Sequence, residues 1–357
     1  MRWYTILIIC IVVIIGLPLL YLLFWPVPID PAAWTPPTAP ALTGVYEPND
    51  RLASVERLGK GACIGPEDVA IDDQGRIYSG MEDGRILRFQ PDGSNPEVFA
   101  HTGGAPLGLR FDAAGNLVVA DCIKGLLSID PKGSVTVLST EQGGIPFKFT
   151  DDIDIAADGT IYFSDASFKF RPGEDITDLM EHRPNGRLLA YDPKTKTTRL
   201  VLDKLYFANG VAVSPDQSFV LVVETGEYRV QRYWLTGSQR GKSDVFIDNL
   251  PGFPDGISSN GKDTFWLALV SPRDPSVDAL LPKPFVRKII MRLPEAIMPA
   301  ATNYGFVLGL DTDGRIVHNL QDPSGSYAQI TNVVENKGML YLGSLVEDAI
   351  GRLPVPR

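Results

Sequence analysis

The sequence predicts an all-β domain, a six-bladed β-propeller, behind an N-terminal transmembrane helix. Two observations carry this: a strand–turn–strand pattern that recurs six times between Ile64 and Gly351, and an uncharged apolar run near the start of the chain. The copies read VAIDDQGRIYSG (Val69 to Gly80), LRFDAAGNLVVAD (Leu109 to Asp121), IDIAADGTIYFSD (Ile153 to Asp165), VAVSPDQSFVLVVE (Val211 to Glu224), ISSNGKDTFWLAL (Ile257 to Leu269) and VVENKGMLYLGS (Val333 to Ser344). Each is an apolar strand, a polar turn that usually holds Gly, and a second apolar strand. Repeats of this length built from short strands are the signature of a propeller, in which every blade presents its equivalent residues to one axis. The 34 Gly and 29 Pro supply the tight turns such a fold needs. A length of 357 residues allows two domains, but all-β domains often run past the average.

From Thr5 to Trp25 no residue is charged and nearly all are apolar, which suffices for a helix to span a bilayer core. Trp3, Tyr4, Tyr21 and Trp25 stand at its ends, where aromatic rings favour the interface. Arg2 precedes the run and no Lys or Arg follows until Arg51. The positive-inside bias then keeps the N-terminus cytoplasmic in a single-pass membrane protein, with the propeller on the periplasmic, extracellular or lumenal side. A cleaved signal peptide is the alternative, but its apolar core is shorter and ends in small residues, whereas this run ends in FWPVPIDP. Pro26 to Pro40 reads as a stiff spacer that holds the domain off the membrane. The expected division is a membrane anchor over 1–25, a Pro-rich linker over 26–50 and the propeller over 51–357. Ala53 to Leu58 is expected to supply the outer strand of the last blade, closing the ring and removing an exposed edge.

The residues just ahead of each first strand are the chemical clue. They are Glu67 in PEDVAI, Asp151 in TDDIDI, Asn209 in ANGVAV and Asp255 in PDGISS, with Leu107 and Thr331 in the remaining two blades. Three carboxylates and an amide oxygen at one height near the axis repel one another unless neutralised. A hard cation removes that cost, and calcium takes six to eight oxygen ligands of this kind. Asp and Asn also occur as turn formers, which explains them singly, but Glu67 is a poor turn residue.

Two connections are long. One runs from about Ala166 to Asn185 in the third blade, and the other from about Ser271 to Asn303 in the fifth, where PFVRKIIMRLPEAIM can form a short amphipathic helix. Both overhang the face that carries the axial residues and read as lids. Of the three histidines, His182 lies in the third-blade loop and is the candidate general base; His101 is placed in the loop entering the second blade and His318 on the outer strand of the fifth. No Ser stands in a nucleophile elbow. Cys63 and Cys122 either pair, if the domain is exported, or remain buried and free. The net charge of -10 and the lack of any basic tract argue against a nucleic-acid partner, and no phosphate-binding Gly loop opens a helix.

The motifs GPEDVA, PLGLRF, ADCIKGLLSID, NGRLLAYDP, FANGVAVSP, PGFPDGI, DPSGSY and GMLYLGSL together resemble the strictosidine synthase-like propellers, with the adipocyte plasma membrane-associated protein branch among them. These are relatives of paraoxonases, gluconolactonase (regucalcin) and diisopropyl fluorophosphatase. The likeness covers nearly the whole chain after about Leu52. It implies calcium ligands at Glu67, Asp151, Asn209 and Asp255, with Asp151 standing where relatives commonly carry Asn. It implies calcium-dependent hydrolysis of a small-molecule ester or lactone, arylesterase- or lactonase-like, with Asp255 as nucleophile, base or ligand. Two alternatives remain: a condensing enzyme that joins an amine to an aldehyde, whose catalytic glutamate corresponds to Glu335, and a non-catalytic calcium-binding propeller.

Overall fold

The computed structural model describes Trp3, Tyr4, Leu7, residues 12–294 and residues 300–356. Six four-stranded antiparallel sheets are arranged as blades. Blade 1 holds Val69–Ile71, Ile77–Gly80, Arg85–Phe89 and Glu97–His101; the innermost strands of blades 2 to 6 are Pro106–Phe111, Thr150–Ile155, Ala208–Val213, Gly252–Ser259 and Ile330–Asn336. The outer strand of blade 6 is Glu56–Leu58, which pairs antiparallel with Ile350–Pro354. The ring is therefore closed by joining the two ends of the chain, as expected from Ala53 to Leu58.

Each interface between neighbouring blades is a separate apolar cluster. Ala70, Tyr78 and Ile86 of blade 1, for example, meet Leu109, Val119 and Leu127 of blade 2. At the far end of the blades, Asp72, Asp112 and Asp311 each accept hydrogen bonds from the backbone of the turn that follows, which is why these polar turns are tight.

The innermost strands share one irregularity that the repeat did not reveal. In blade 3 the register passes from Thr150↔Asp165 to Ile153↔Phe163, so one extra residue is inserted. The same one-residue bulge recurs at Ala208/Val211, Pro254/Ile257, Ile330/Val333 and Pro106/Gly108. A bulge turns one side chain out of the alternating pattern. Here it falls on Leu107, Asp151, Asn209, Asp255 and Thr331; in blade 1 the strand begins after Glu67.

The residue that follows each axial position ties blade to blade. The Asp68 carboxylate accepts from Leu109 N at 2.8 Å and from Asn332 Nδ2 at 2.6 Å, and that of Asp152 accepts from Val211 N at 2.9 Å. Arg110 lies between Asp68 at 2.9 Å and Asp154 at 3.8 Å, and neutralises part of this buried charge. In the other three blades the position is Gly108, Gly210 or Gly256. A Cβ on Gly210 would lie 2.4 Å from Ile257 N and 2.6 Å from Asp255 O, so glycine is required by the closeness of the next blade.

The Thr5 to Trp25 run lies partly outside the described residues. Its described part is a π-helical turn, Val12–Gly16, continued by helix α1, Leu17–Phe24. Among the described residues no helix is long and apolar enough to cross a membrane. The Pro-rich segment is extended, but it runs along the propeller instead of standing clear of it: Ile29 is buried, and Leu42 and Tyr46 pack on the core between blades 4 and 5. Its backbone polar groups find partners on the lids, and that holds it down.

Gly210→Ala is expected to destabilise the domain by about 1–3 kcal/mol, the usual cost of overpacking. Chemical unfolding measures it; an unchanged midpoint would show that blades 4 and 5 can separate at this point.

Candidate active site

The bulged side chains of Asp151, Asn209 and Asp255, together with Glu67, line one cavity of about 720 Å³ at the axial end of the propeller. Asp151, Asn209 and Asp255 are buried, and Glu67 is half-buried. Leu107 lines the same cavity, while the Thr331 hydroxyl turns aside to donate to Glu67 O at 2.6 Å. The walls are mostly apolar and include Phe149, Leu179, Phe207, Phe253 and Leu281. Cys122, Phe149, Ala166 and Phe207 form a small cluster of their own beside the floor.

Two lids contribute. The third-blade loop carries helix α2, Asp175–Glu181, and the fifth-blade loop carries α3, Pro275–Leu280, and α4, Pro284–Ile290. Helix α4 begins the amphipathic stretch read from the sequence; residues 295–299 of that stretch lie outside the described residues. Asp175 and Asp274 were not singled out by the repeat, because lid residues have no register in it, yet both line the cavity, as does Glu82. Six carboxylates thus line it, and among the described residues no Lys or Arg does.

The electrostatic consequence is direct. Burial raises the Glu67 carboxyl well above the usual carboxylate range, and the charges of Asp255 and Asp151 raise it further. Asp151 is raised by burial and then by Asp255. Burial pushes Asp255 up to about 7, against a hydrogen bond from Asn209 that favours its charged form. Among the described residues no three His, Cys, Asp or Glu side chains stand in an arrangement that could hold a metal ion by themselves. Uncompensated carboxylates repel one another, so oxygen ligands that share a cavity do not close on a point without a cation. In donor type and in unbalanced charge the set fits a hard cation. Cys63 and Cys122 are free and buried, and burial pushes both thiols up, Cys63 to about 12, leaving them unreactive.

His182 also lines the cavity, at the C-terminal cap of α2, with φ of 50°. Its ring lies flat between Trp34, with centroids 4.3 Å apart, and Tyr206 at 4.7 Å; its Nε2 is 3.3 Å from Glu227. Trp34 belongs to the Pro-rich segment, which forms a strap over the lids. Ala32 N donates to Glu181 O at 3.0 Å, Trp34 N to Leu281 O at 3.2 Å, and Arg273 Nη2 to Pro37 O at 2.8 Å. The fully buried Arg287 of α4 donates to Met180 O at 2.7 Å and to Ala32 O, joining both lids to the strap. Among the described residues no carboxylate pairs with it, and burial lowers Arg287 to about 10.

The other histidines are remote from the cavity. His101 ends the outer strand of blade 1, one strand earlier than the loop in which it was placed, and His318 lies on the outer strand of blade 5, stacked on Trp266 at 5.1 Å. Glu335 is also remote. It stands four residues past the axial Thr331, a strand length of about 13 Å, where its carboxylate accepts from Trp266 Nε1 at 2.8 Å and Asn260 Nδ2 at 3.2 Å.

Fold and site together define a six-bladed propeller with an acidic axial floor under apolar lids. Comparison with known proteins gives this class its family. Residues 151–238 match the strictosidine synthase family model, and residues 44–89 match the strictosidine synthase-like N-terminal model. The chain is 35% identical over 352 residues to the adipocyte plasma membrane-associated protein of Bos taurus, spanning 91% of this chain and 84% of the relative. It is 38% identical over 313 residues to the strictosidine synthase-like 6 protein of Arabidopsis thaliana, spanning 85% of this chain and 83% of that one. The chain belongs to the strictosidine synthase-like family, which includes the adipocyte plasma membrane-associated proteins. Its fold is shared with a gluconolactonase of Xanthomonas campestris (TM-score 0.63, 17% identity, 86% of this chain and 91% of that chain). It is shared also with a calcium-binding protein, regucalcin, of Agrobacterium tumefaciens (TM-score 0.60, 14% identity, 83% and 92%).

Two outcomes follow. A carboxyl whose folded pKa lies above its unfolded one stabilises the fold when protonated, and that stability is lost as pH rises through the folded value. For Asp255 the window runs from about 4 to about 7. With chelator, the melting temperature should therefore fall by several degrees as pH rises across this window; excess calcium should flatten the slope. Glu67→Ala or Asn209→Ala should weaken the calcium effect, and an equal slope with and without calcium would count against the axial site. Second, Arg287→Met leaves the Met180 and Ala32 carbonyls unpaired and should cost about 1–3 kcal/mol, with faster proteolysis of residues 26–40. Wild-type proteolysis rates there would mean the strap is held by Trp34 alone.

Proposed function

We propose that the chain is a calcium-dependent hydrolase of esters or lactones, acting on a small apolar molecule. The observation that carries this is the convergence of Glu67, Asp151, Asn209 and Asp255, from four blades, on the floor of one apolar-walled cavity where, among the described residues, no Lys or Arg balances them. The gluconolactonase and the calcium-binding regucalcin that share the fold support the same chemistry. Glu67, Asp151, Asn209 and Asp255 would hold the ion, which when bound would supply a Lewis acid that polarises the substrate carbonyl.

The chain's own residues do the rest. The apolar walls bind the non-polar part of the substrate and exclude water from all but the floor. Asn209 orients the Asp255 carboxylate through its hydrogen bond. Asp255 then either takes the proton of an attacking water and passes it to the departing oxygen as the acyl–oxygen bond breaks, or attacks the carbonyl itself. In the second case the acyl–oxygen bond breaks to leave an acyl-aspartate, the departing oxygen takes a proton from water, and a further water cleaves the acyl-aspartate to free the acid and restore Asp255. A condensing reaction built on Glu335 finds no support, because that carboxylate is bonded to Trp266 and Asn260 away from the cavity.

In the same reading the apolar N-terminal segment anchors the chain in a membrane, with the N-terminus cytoplasmic and the propeller outside. The names of the adipocyte plasma membrane-associated relatives accord with an anchor.

Aryl-ester and lactone turnover, measured with and without chelator, tests the function. Activity should require calcium and fall by about 10²-fold or more in Asp255→Asn at calcium levels that saturate the site, the usual size of an acid–base contribution. Near-normal turnover in that variant would make Asp255 a ligand only and move the base to His182. Turnover unaffected by chelator would overturn the calcium mechanism.

A further inference from the structure

Large apolar side chains exposed on the blade ends are confined to one of the two faces. On the cavity face Ile64, Ile123, Phe285 and Val346 are 47%, 60%, 59% and 55% exposed, beside Ile176 of α2 and Leu345, which also line the cavity. At the opposite end the turns between the two innermost strands centre on Asp72, Asp112, Asp158, Asp216, Asn260 and Lys337, and among the described residues no large apolar side chain in those turns is exposed. The exposed Val98, Val135, Val245 and Val317 stand on the outer strands, at the side of the domain. Basic residues accompany the apolar ones: Lys124 follows Ile123, and Lys283 and Lys288 flank Phe285.

The N-terminal apolar segment reaches the domain at this same face. Because residues 30–38 are bound across the lids, the chain cannot leave on the other side. At the junction Arg292, just past α4, donates through Nε to Trp25 O at 2.6 Å and through Nη1 to Leu22 O at 2.9 Å, capping the last carbonyls of α1. Leu17, Leu19, Leu20 and Phe24 of that helix are 55%, 53%, 54% and 73% exposed. The apolar helix, the lid helix α4 and the exposed apolar side chains of the rim thus lie on one face, with Lys124 and Lys283 among them and the exposed acids Glu82, Asp83, Glu174 and Asp348 on the loops between. Exposed apolar side chains with lysines beside them suit a membrane interface.

We propose that the cavity face rests on a lipid bilayer, so that the mouth of the cavity opens to the membrane interface and admits molecules dissolved in it. This rests on the reading of the N-terminal segment as an anchor and adds the orientation of the domain. A rigid spacer would let the propeller stand clear; the strap fixes it mouth-down.

The test uses the full chain with Cys10→Ser, since Cys63 and Cys122 are buried and do not label. Environment-sensitive probes are attached to Ile123→Cys, Phe285→Cys or, on the opposite face, Ala114→Cys, in phosphatidylcholine–phosphatidylglycerol vesicles with or without brominated acyl chains. Flotation with the vesicles and severalfold stronger bromine quenching at 123 and 285 than at 114 are expected. Replacing Leu345 and Val346 by Asp should reduce the quenching at 285. Flotation with equal quenching at both faces keeps the anchor and overturns the orientation. Failure to float overturns both. Lipid-independent cross-linking between rim cysteines of two chains would show a second copy on this face and overturn the proposal.

Discussion

One extra residue in the innermost strand is the constraint on which the rest depends. An unbroken strand would send alternate side chains to the two faces of the blade and none towards the axis. The bulge breaks that alternation at the same level in blade after blade and turns Asp151, Asn209 and Asp255 onto a common floor. It also leaves the next residue beside the neighbouring blade. There the chain uses either a carboxylate or amide that bonds across the gap, as at Asp68, Asp152 and Asn332, or a glycine that leaves room for it. Site and blade-to-blade contact are thus two results of one backbone device. Chemistry on the floor cannot be altered freely without disturbing how the blades meet.

The fold was legible because a propeller writes its period into the sequence. The axial positions were legible for the same reason: Glu67, Asp151, Asn209 and Asp255 stand at one offset from the repeating strands. The bulges themselves left only an indirect mark, the glycines at 108, 210 and 256. The lids were legible as long connections, but not Asp175 or Asp274, whose approach to the cavity depends on how each loop packs. The Pro-rich segment read as a stiff spacer, and its course along the lids was not legible. Proline sets an extended backbone but says nothing of what lies beside it, and the partners of residues 30–38 are scattered over lids hundreds of positions away. The distance of Glu335 from the cavity was not legible for a different cause: local similarity does not tell which end of a strand a residue occupies.

The cavity joins two opposed environments. Its floor concentrates carboxylates without a cation of the protein's own, and its walls and rim are apolar. A charge-dense floor is strengthened by dry walls, since a low dielectric magnifies both repulsion between the bare carboxylates and attraction for an ion placed among them. His182, flat between Trp34 and Tyr206, links this interior to the strap, so the order of the lids and that of the N-terminal segment are not independent.

Closure of the ring by Glu56–Leu58 against Ile350–Pro354 has a consequence in time. During synthesis the strand that completes the last blade is among the first parts of the domain to emerge, and its partner is among the last. Until then it is an unpaired edge, and the strap beside it lacks the lids of blades 3 and 5 on which it lies. Blades 1 to 5 can form in order as they appear. The strap must wait for the lids of blades 3 and 5 and the strand Glu56–Leu58 for Ile350–Pro354, so parts of the domain made early are the last to settle, and a domain that lacks its last strand remains an open arc.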